Sequence, residues 1–589
     1  MKQFFGAFFG SIIGIIVAAA LAILLLVVAV KSSINEAFKD EEAGNSIVKS
    51  NSVLKLTLDG RITERSKENP LEDLLPAGPF SESSSNGLND LTEKIKKAKG
   101  DAKVSGIFLC FKNFQTGFAT LEELRNALLD FKSSGKFIYS YAEVYDQKDY
   151  YLASSANKIF LNPQGALEWK GLSTTLMFFK HSFEKLDLDV QIFRHGKFKS
   201  AIEPFMLDKM SEANRMQAET FLSSMWNQMT TGIAKERNLK VEDLNAMANN
   251  LSLRSPEDAL KGMVDQLSYE DEVVSAIKKK IGVAEKDKFK FVDFNKYEAK
   301  NSVALKSGRI AVIYANGSIG EGEGSDDEIG SDRLSRTIRE ARLDDKIKAI
   351  VLRVNSPGGS ALASDVIWRE MALARKEKPT VVSMGDLAAS GGYYISCAAE
   401  RIFAQPNTLT GSIGVFGVIP NFKKMLESKL GITLDTVNTN KYSDMGALRP
   451  LSATESNFIQ VSIEKVYGTF ISRVADGRNL SLLQVDSIGQ GRVWAGSDAL
   501  KIGLVDELGG LNDAIAYAAK KAKIKEYRIQ EMPKQISPFD GLLGKKEAEF
   551  ESRLLQNKLG PLYNYFTQIQ ELSKMKGIQA RLPYVIEIN

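Results

Sequence analysis

Histidine is almost missing from this chain: its 589 residues contain two, His181 and His195. No group of His, Cys and carboxylates has metal-ligand spacing, so neither a metal nor another cofactor is expected. A Ser-His-Asp arrangement is open only through His195 or His181, both far in sequence from the serine that attracts attention below. Cysteine is as scarce. Cys110 and Cys397 cannot build a disulfide framework, and their apolar surroundings read as buried free thiols. An excess of one charge is also absent: 77 Lys and Arg face 73 Asp and Glu, for a net charge of +4. Without a basic block, nucleic acid is excluded as a partner.

Long, predominantly apolar runs without charge are missing too, except one. Phe4 to Val30 holds no charged residue over 27 positions, enough to cross a hydrocarbon layer of about 30 Å. It is too long for a cleavable signal core, and no small-x-small site precedes Lys31. The expectation is a three-residue tail, a transmembrane signal anchor over residues 4–30 and a polar linker over 31–50. Gly6, Gly10, Gly14, Ala18 and Ala22 recur every fourth residue, as in close-packing membrane helices or simply as in small-residue-rich ones.

The body of the chain is a duplication. Ser140 to Pro163 lies on Ser383 to Pro406, and Gly106 to Gly117 on Ala349 to Ser360, both at an offset of 383 − 140 = 243 residues. Residues 51–300 and 301–530 are therefore read as two tandem repeats. Each alternates β-branched strands with helices, from Ser52 to Ile62 and Arg309 to Ile319 onward. That pattern predicts an α/β fold built from βαβ units. Pro70 to Gly87 and Gly320 to Asp332 read as loops. Ser211 to Leu239 and Ser452 to Arg478 read as matching helices. Residues 531–589 fall outside the repeat. There Lys545 to Lys576 reads as an amphipathic helix and Leu582 to Ile588 as a short apolar end, for which an oligomer contact is the modest expectation.

The two copies differ where chemistry is expected. Copy two carries Asn355-Ser356-Pro357-Gly358-Gly359 after a buried strand, and such glycines let backbone N–H groups face a developing oxyanion. In copy one the pair is Gln115-Thr116. Copy two also carries Ser390 between alanines and glycines at a helix start, as a nucleophile or as a helix cap. Gln147 stands in its place in copy one. A serine needs a base, and with histidine scarce a lysine made neutral by burial is the alternative. Lys199, in the copy-one run Gly196 to Phe205, is flanked by Phe198, Ala201 and Ile202. Lys197 is its nearest rival, and Ser443 holds its place in copy two. Ser412, 22 residues after Ser390, adds a second hydroxyl.

Together, NSPGG, GDLAASGGYYIS and TGSIGVFG in one half and GKFKSAIEPF in the other resemble the bacterial signal peptide peptidase A (protease IV) family, in its long form with two fused repeats. The resemblance implies a ClpP/crotonase-like fold in each repeat and a Ser/Lys dyad. By motif position, Ser390 is then the nucleophile, Lys199 the general base and Ser412 the auxiliary hydroxyl beside the lysine. Gly358, Gly359 and Gly391 become the oxyanion or substrate-backbone residues. It further implies a homotetramer on the periplasmic side of the bacterial inner membrane that degrades cleaved signal peptides. Two other readings share the fold: an acyl-CoA enzyme of the crotonase kind and a non-catalytic membrane scaffold.

Overall fold

The computed structural model describes residues 48–66, 87–297, 308–535 and 577–582. The expected membrane anchor, the linker up to residue 47, most of the first loop and the amphipathic tail helix lie outside these. Among the described residues, no helix is long and apolar enough to cross a membrane.

Repeat one lays down β1 (Ser52–Arg61), β2 (Val104–Gln115), β3 (Phe137–Tyr145) and β4 (Lys158–Leu167). It then sends β5 (Asp189–His195) elsewhere and adds short β6 (Gln266–Leu267) and β7 (Val292–Asp293). Apart from β5, these form one parallel sheet in the order β6-β4-β3-β2-β1-β7. Repeat two opens with β8 (Gly308–Asn316), β9 (Ser318–Gly320) and β10 (Glu328–Gly330). The last of these is a short strand inside the acidic stretch read from sequence as loop. There follow β11 (Ile347–Ser356), β12 (Gly358–Ser360), β13 (Thr380–Ala389), β14 (Arg401–Ala404) and β15 (Leu409–Gly411). The repeat ends with β16 (Val415–Asn421), β17 (Val493–Ala495), β18 (Glu507–Leu508) and β19 (Tyr527–Met532). Its sheet runs β17-β15-β13-β11-β8-β19, with β14 and β18 branching from β13.

The strands read as unbroken apolar runs because both of their faces are covered, as parallel sheets require. Along β11, Ile350, Leu352 and Val354 enter one apolar cluster, while Ala349 and Val351 enter another on the opposite face. In β2, Ile107 and Leu109 alternate in the same way with Phe108 and Cys110. Cys110 and Cys397 are buried free thiols, and burial pushes each up to about 12.

The duplication extends to the caps. Helix Glu212–Arg237 starts on Ser211, whose hydroxyl accepts from the Asn214 amide, and ends on left-handed Asn238. Helix Ala453–Arg478 starts on Ser452 and ends on left-handed Asn479. The spacings 452 − 211 and 479 − 238 both equal 241.

The repeats are tied together by buried charge. Arg353 of β11 is fully buried; it donates to Glu64 at 2.8 Å and forms an ion pair with Glu123 at 2.6 Å, both from repeat one. Asp386 of β13 caps a repeat-one helix, Phe118–Lys132, from outside it. One carboxylate oxygen accepts from the amides of Ala119 and Thr120 at 2.9 Å, and the other from the Thr120 hydroxyl at 2.7 Å. Gly117, at the cap position itself, has no side chain to offer. Removing a side-chain cap costs about 1–2 kcal/mol. Asp386→Ala is therefore expected to lower the melting temperature measurably, and an unchanged melt in calorimetry would show that the cap is not a stabilising tie.

Candidate active site

A third sheet, drawn from both repeats and the tail, assembles the site. Its order is β10-β9-β12-β20-β16-β5, where β20 is Gln579–Arg581. Repeat-one β5 pairs antiparallel with repeat-two β16 over seven residues, from Val415 opposite His195 to Asn421 opposite Asp189. The chain leaving β5 therefore runs beside the chain entering β16. Lys199 follows β5 by four residues and Ser412 precedes β16 by three, so the pairing delivers them to one place.

There Lys199 Nζ lies 2.8 Å from Ser390 Oγ, 3.1 Å from Ser412 Oγ and 3.2 Å from the Ser412 carbonyl oxygen. All three residues are fully buried. They belong to one chain, with lysine and nucleophile candidate 191 positions apart. Burial pushes the Lys199 ammonium well below the usual lysine range, because a charge taken from water without an ion partner is unstable. A neutral amine at this distance can accept the Ser390 proton while donating its own N–H bonds to Ser412.

The lysine stem threads a slot of glycines. A Cβ on Gly491, whose φ is +79°, would stand 2.6 Å from the Lys199 backbone nitrogen, and one on Gly414 would stand 3.3 Å from Lys199 Cδ. Gln217 fixes the base of the slot. Its Nε2 donates to Ser200 Oγ at 2.9 Å, and its Oε1 accepts from the Val493 amide at 3.2 Å. Neither Gln217 nor Gly491 stood out in the sequence. One is a buried polar residue in a long helix and the other a turn glycine, with no spacing to connect them to Lys199.

Ser390 sits at φ 56° and ψ −113°, with no cap bond from its side chain. The hydroxyl that could have capped a helix is turned to the lysine instead. Such a backbone stores about 1–3 kcal/mol. It is held by the Ser390 amide donating to the Gly411 carbonyl at 2.7 Å and by the Tyr394 amide donating to the Ser390 carbonyl at 2.8 Å. Gly391 opens the following helix, Gly391–Ser396, where its N–H has no intrahelical acceptor. Gly359 is packed so tightly on β9 that a Cβ would meet the Ile319 carbonyl at 1.9 Å. The Gly358 amide already donates to Ser356 Oγ at 3.1 Å. Its part is to turn the strand at φ +96°, leaving Gly359 and Gly391 as donors to a carbonyl.

The other candidates stand apart. Lys197 is exposed. His195 Nδ1 lies 2.5 Å from Glu464 and its ring stacks on Tyr467; His181 pairs with Glu184 and Asp208 on the surface. Ser443 is exposed and donates to the Asn440 carbonyl. The place of Ser390 in repeat one is filled. Gln147 Oε1 accepts from the amides of Lys170 and Gly171 at 2.9 and 2.8 Å, and its Nε2 donates to the Gly171 carbonyl. The helix there survives because Asp146, one residue earlier, supplies its cap.

The sequence signature of peptidase family S49 matches residues 130–284 and 372–525, once in each repeat. The chain belongs to this family. The Clp protease signature also matches, over residues 312–410. The chain is 40% identical over 501 residues to Protease 4 of Salmonella typhi, covering 82% of itself and 81% of that protein. It is 36% identical to Protease 4 of Haemophilus influenzae, covering 72% and 71%. With the chloroplastic serine protease SPPA of Arabidopsis thaliana it shares 33% identity over 91% of itself and 78% of that protein. Among solved structures, ClpP1 from Listeria monocytogenes covers 34% of this chain and 92% of its own, at 17% identity and a TM-score of 0.23, too slight a likeness to use. This S49 protein is accordingly a serine peptidase with two family repeats.

Two substitutions separate the repeats. Gly491→Ala is expected to displace Lys199 and lower peptide hydrolysis at least about a hundredfold, since misplacing a reacting group by 1 Å costs on that order, in a protein of normal circular dichroism. Gln147→Ala is expected to leave kcat/KM within about twofold of wild type. A dead Gln147→Ala peptidase would mean that repeat one keeps a reacting group of its own.

Proposed function

We propose that this chain is a serine endopeptidase in which Ser390 is the nucleophile, Lys199 the general base and Ser412 the hydroxyl that orients the lysine. The observation that carries the reading is the 2.8 Å approach of a fully buried lysine amine to a serine held in a strained backbone. Ser390 Oγ attacks the substrate carbonyl carbon while its proton passes to Lys199 Nζ. The oxyanion is received by the N–H groups of Gly359 and Gly391; one such donor contributes about 3 kcal/mol to the barrier. Collapse breaks the C–N bond, and the Lys199 ammonium returns the proton to the leaving amine. Water, deprotonated by Lys199, then hydrolyses the acyl-enzyme and restores Ser390.

The substrates are cleaved signal peptides and other peptides of the membrane surface. Residues 4–30 anchor the enzyme in a bacterial inner membrane with its body in the periplasm, and the working assembly is a homotetramer. The uncharged 27-residue stretch supports the anchor, because it would hold the site where apolar peptides are released.

The test is hydrolysis of an apolar peptide by the detergent-solubilised full chain. Ser390→Ala and Lys199→Met are each expected to reduce kcat at least about a thousandfold, as loss of a nucleophile or its base does, with melting temperatures close to wild type. Protonation disables the lysine, so kcat/KM is expected to rise with pH through its lowered pKa, with the acid limb below the ordinary lysine range. Retained activity in Lys199→Met, or a flat profile down to pH 5, would rule out the lysine base. No turnover by a folded wild-type protein would favour the scaffold reading.

A further inference from the structure

One short turn holds both the lysine backbone and the Ser412 groups that receive the amine. Residues 489–492 join helix Leu482–Ile488 to β17. The Gln490 carbonyl accepts from the amide of Phe198, the neighbour of Lys199, at 2.8 Å. The Gly491 amide donates to the Ile413 carbonyl at 2.7 Å, and the Arg492 carbonyl accepts from the Ser412 amide at 2.7 Å. The turn is therefore a template that sets Lys199 of repeat one against Ser412 of repeat two. It runs through two left-handed residues in succession, Gln490 at φ 52° and Gly491 at φ 79°. Glycine takes that conformation freely, whereas glutamine needs to be held in it. Asp486, one helical turn earlier, supplies the hold. Its Oδ1 accepts from Gln490 Nε2 at 2.6 Å and from the Tyr467 hydroxyl at 2.6 Å, and the Tyr467 oxygen accepts from the Gln490 amide at 3.4 Å. Tyr467 is buried. Burial and the Asp486 carboxylate push its hydroxyl above the usual tyrosine range, so it stays a donor. Its ring stacks on His195, which pairs with Glu464, so the network also leans on β5 of repeat one.

Repeat one holds the counterpart of this network. Trp226 and Asn245 correspond to Tyr467 and Asp486, since 467 − 226 and 486 − 245 both equal 241. Trp226 Nε1 donates to Asn245 Oδ1 at 2.6 Å, so a brace between the two helices is common to both repeats. In repeat two the neutral acceptor has become a carboxylate, which binds donors more strongly. The aromatic donor has become a hydroxyl that also accepts, and Gln490 joins as a third member. The changes fall in the copy whose turn holds Lys199. We infer that Asp486 is a positioning residue for the peptidase reaction: through Gln490 and Tyr467 it holds the left-handed turn that sets the Lys199 amine between Ser390 and Ser412. The inference rests on Lys199 being the base. Without the Asp486 carboxylate the turn relaxes and the slot around the lysine stem loosens. Water then reaches the amine, its pKa moves back toward the ordinary lysine value, and the proton has a less well-aligned path. Arg492 and Lys197 lie over the Phe198 ring at 5.2 and 5.8 Å, and Glu464 lies beyond the stacked ring on His195. These charged groups are kept in every variant below, so a moved titration is not theirs.

The test follows kcat and KM for an apolar peptide against pH, with the detergent-solubilised full chain, and records the melting temperature beside them. Asp486→Leu is similar in breadth and has no acceptor. It is expected to lower kcat about tenfold, to leave KM within about twofold and to move the acid limb up by about one pH unit. Tyr467→Phe keeps the stack on His195 and removes the hydroxyl alone, and is expected to move kcat and the limb in the same directions. Asp486→Asn keeps an acceptor oxygen and is expected to recover most of the rate and to return the limb. A lowered melting temperature with kcat and acid limb unmoved would reduce Asp486 to a structural brace and overturn the inference, while Lys199 stands as base. A fall in kcat that leaves the limb where it was would overturn it as well. If Asp486→Leu does not fold, Tyr467→Phe decides between the same outcomes. If the wild type shows no acid limb, the Lys199 reading fails and this inference falls with it.

Discussion

The structure turns on one unfavourable burial. Lys199 is taken completely out of water, and its nearest polar neighbours are two hydroxyls and a carbonyl. In such surroundings an ammonium is destabilised and a free amine is not. The fold has to supply the energy that keeps the side chain there, and it does so through the seven-residue pairing of β5 with β16, the glycine slot around the lysine stem and the Gln217 bonds beneath it. Stability should follow. A group whose folded pKa is lowered leaves the unfolded chain binding more protons, so this residue's contribution rises with pH from its folded pKa up to the ordinary lysine value.

The duplicated architecture makes this arrangement possible. A single repeat has a strand that stops short of a partner: β5 in the first and β16 in the second. Pairing them joins the repeats and completes the site in one step. The joint is then braced by Arg353 between Glu64 and Glu123 and by Asp386 on the foreign helix. Breaking one member of a buried ion group strands the others, typically at 3–5 kcal/mol, so these ties specify how the repeats meet. With the site shared, repeat one has no need of a nucleophile, and Gln147 closes that pocket with three hydrogen bonds.

Much of this was legible in the sequence, because each repeat checks the other. The βαβ alternation and the helices capped by Ser211 and Ser452 follow from local pattern alone. Ser390 and Lys199 stood out because residue types changed between copies whose frames agree, and Ser412 as a second hydroxyl 22 residues after Ser390. What depended on distant pairing stayed hidden. The run of β5 is short and polar at both ends, and nothing local says that it leaves its own sheet for β16. Ser390 read equally well as a cap, since only tertiary contacts turn its hydroxyl away. Gly358 read as a donor, but its amide is occupied by Ser356, a bond across two residues that composition does not reveal. The tail read at most as an oligomer contact, because Gln579–Arg581 has strand character only when two open edges lie on either side of it.

The central claim is that burial holds Lys199 well below the usual lysine range, so that its free amine can act as the base. Carbon-13 NMR of the enzyme with lysines labelled at Cε, titrated with and without Lys199→Met, isolates the one resonance that matters. The account predicts that this resonance titrates well below the exposed lysines and in step with the acid limb of activity. A Lys199 signal titrating together with the exposed lysines would contradict it.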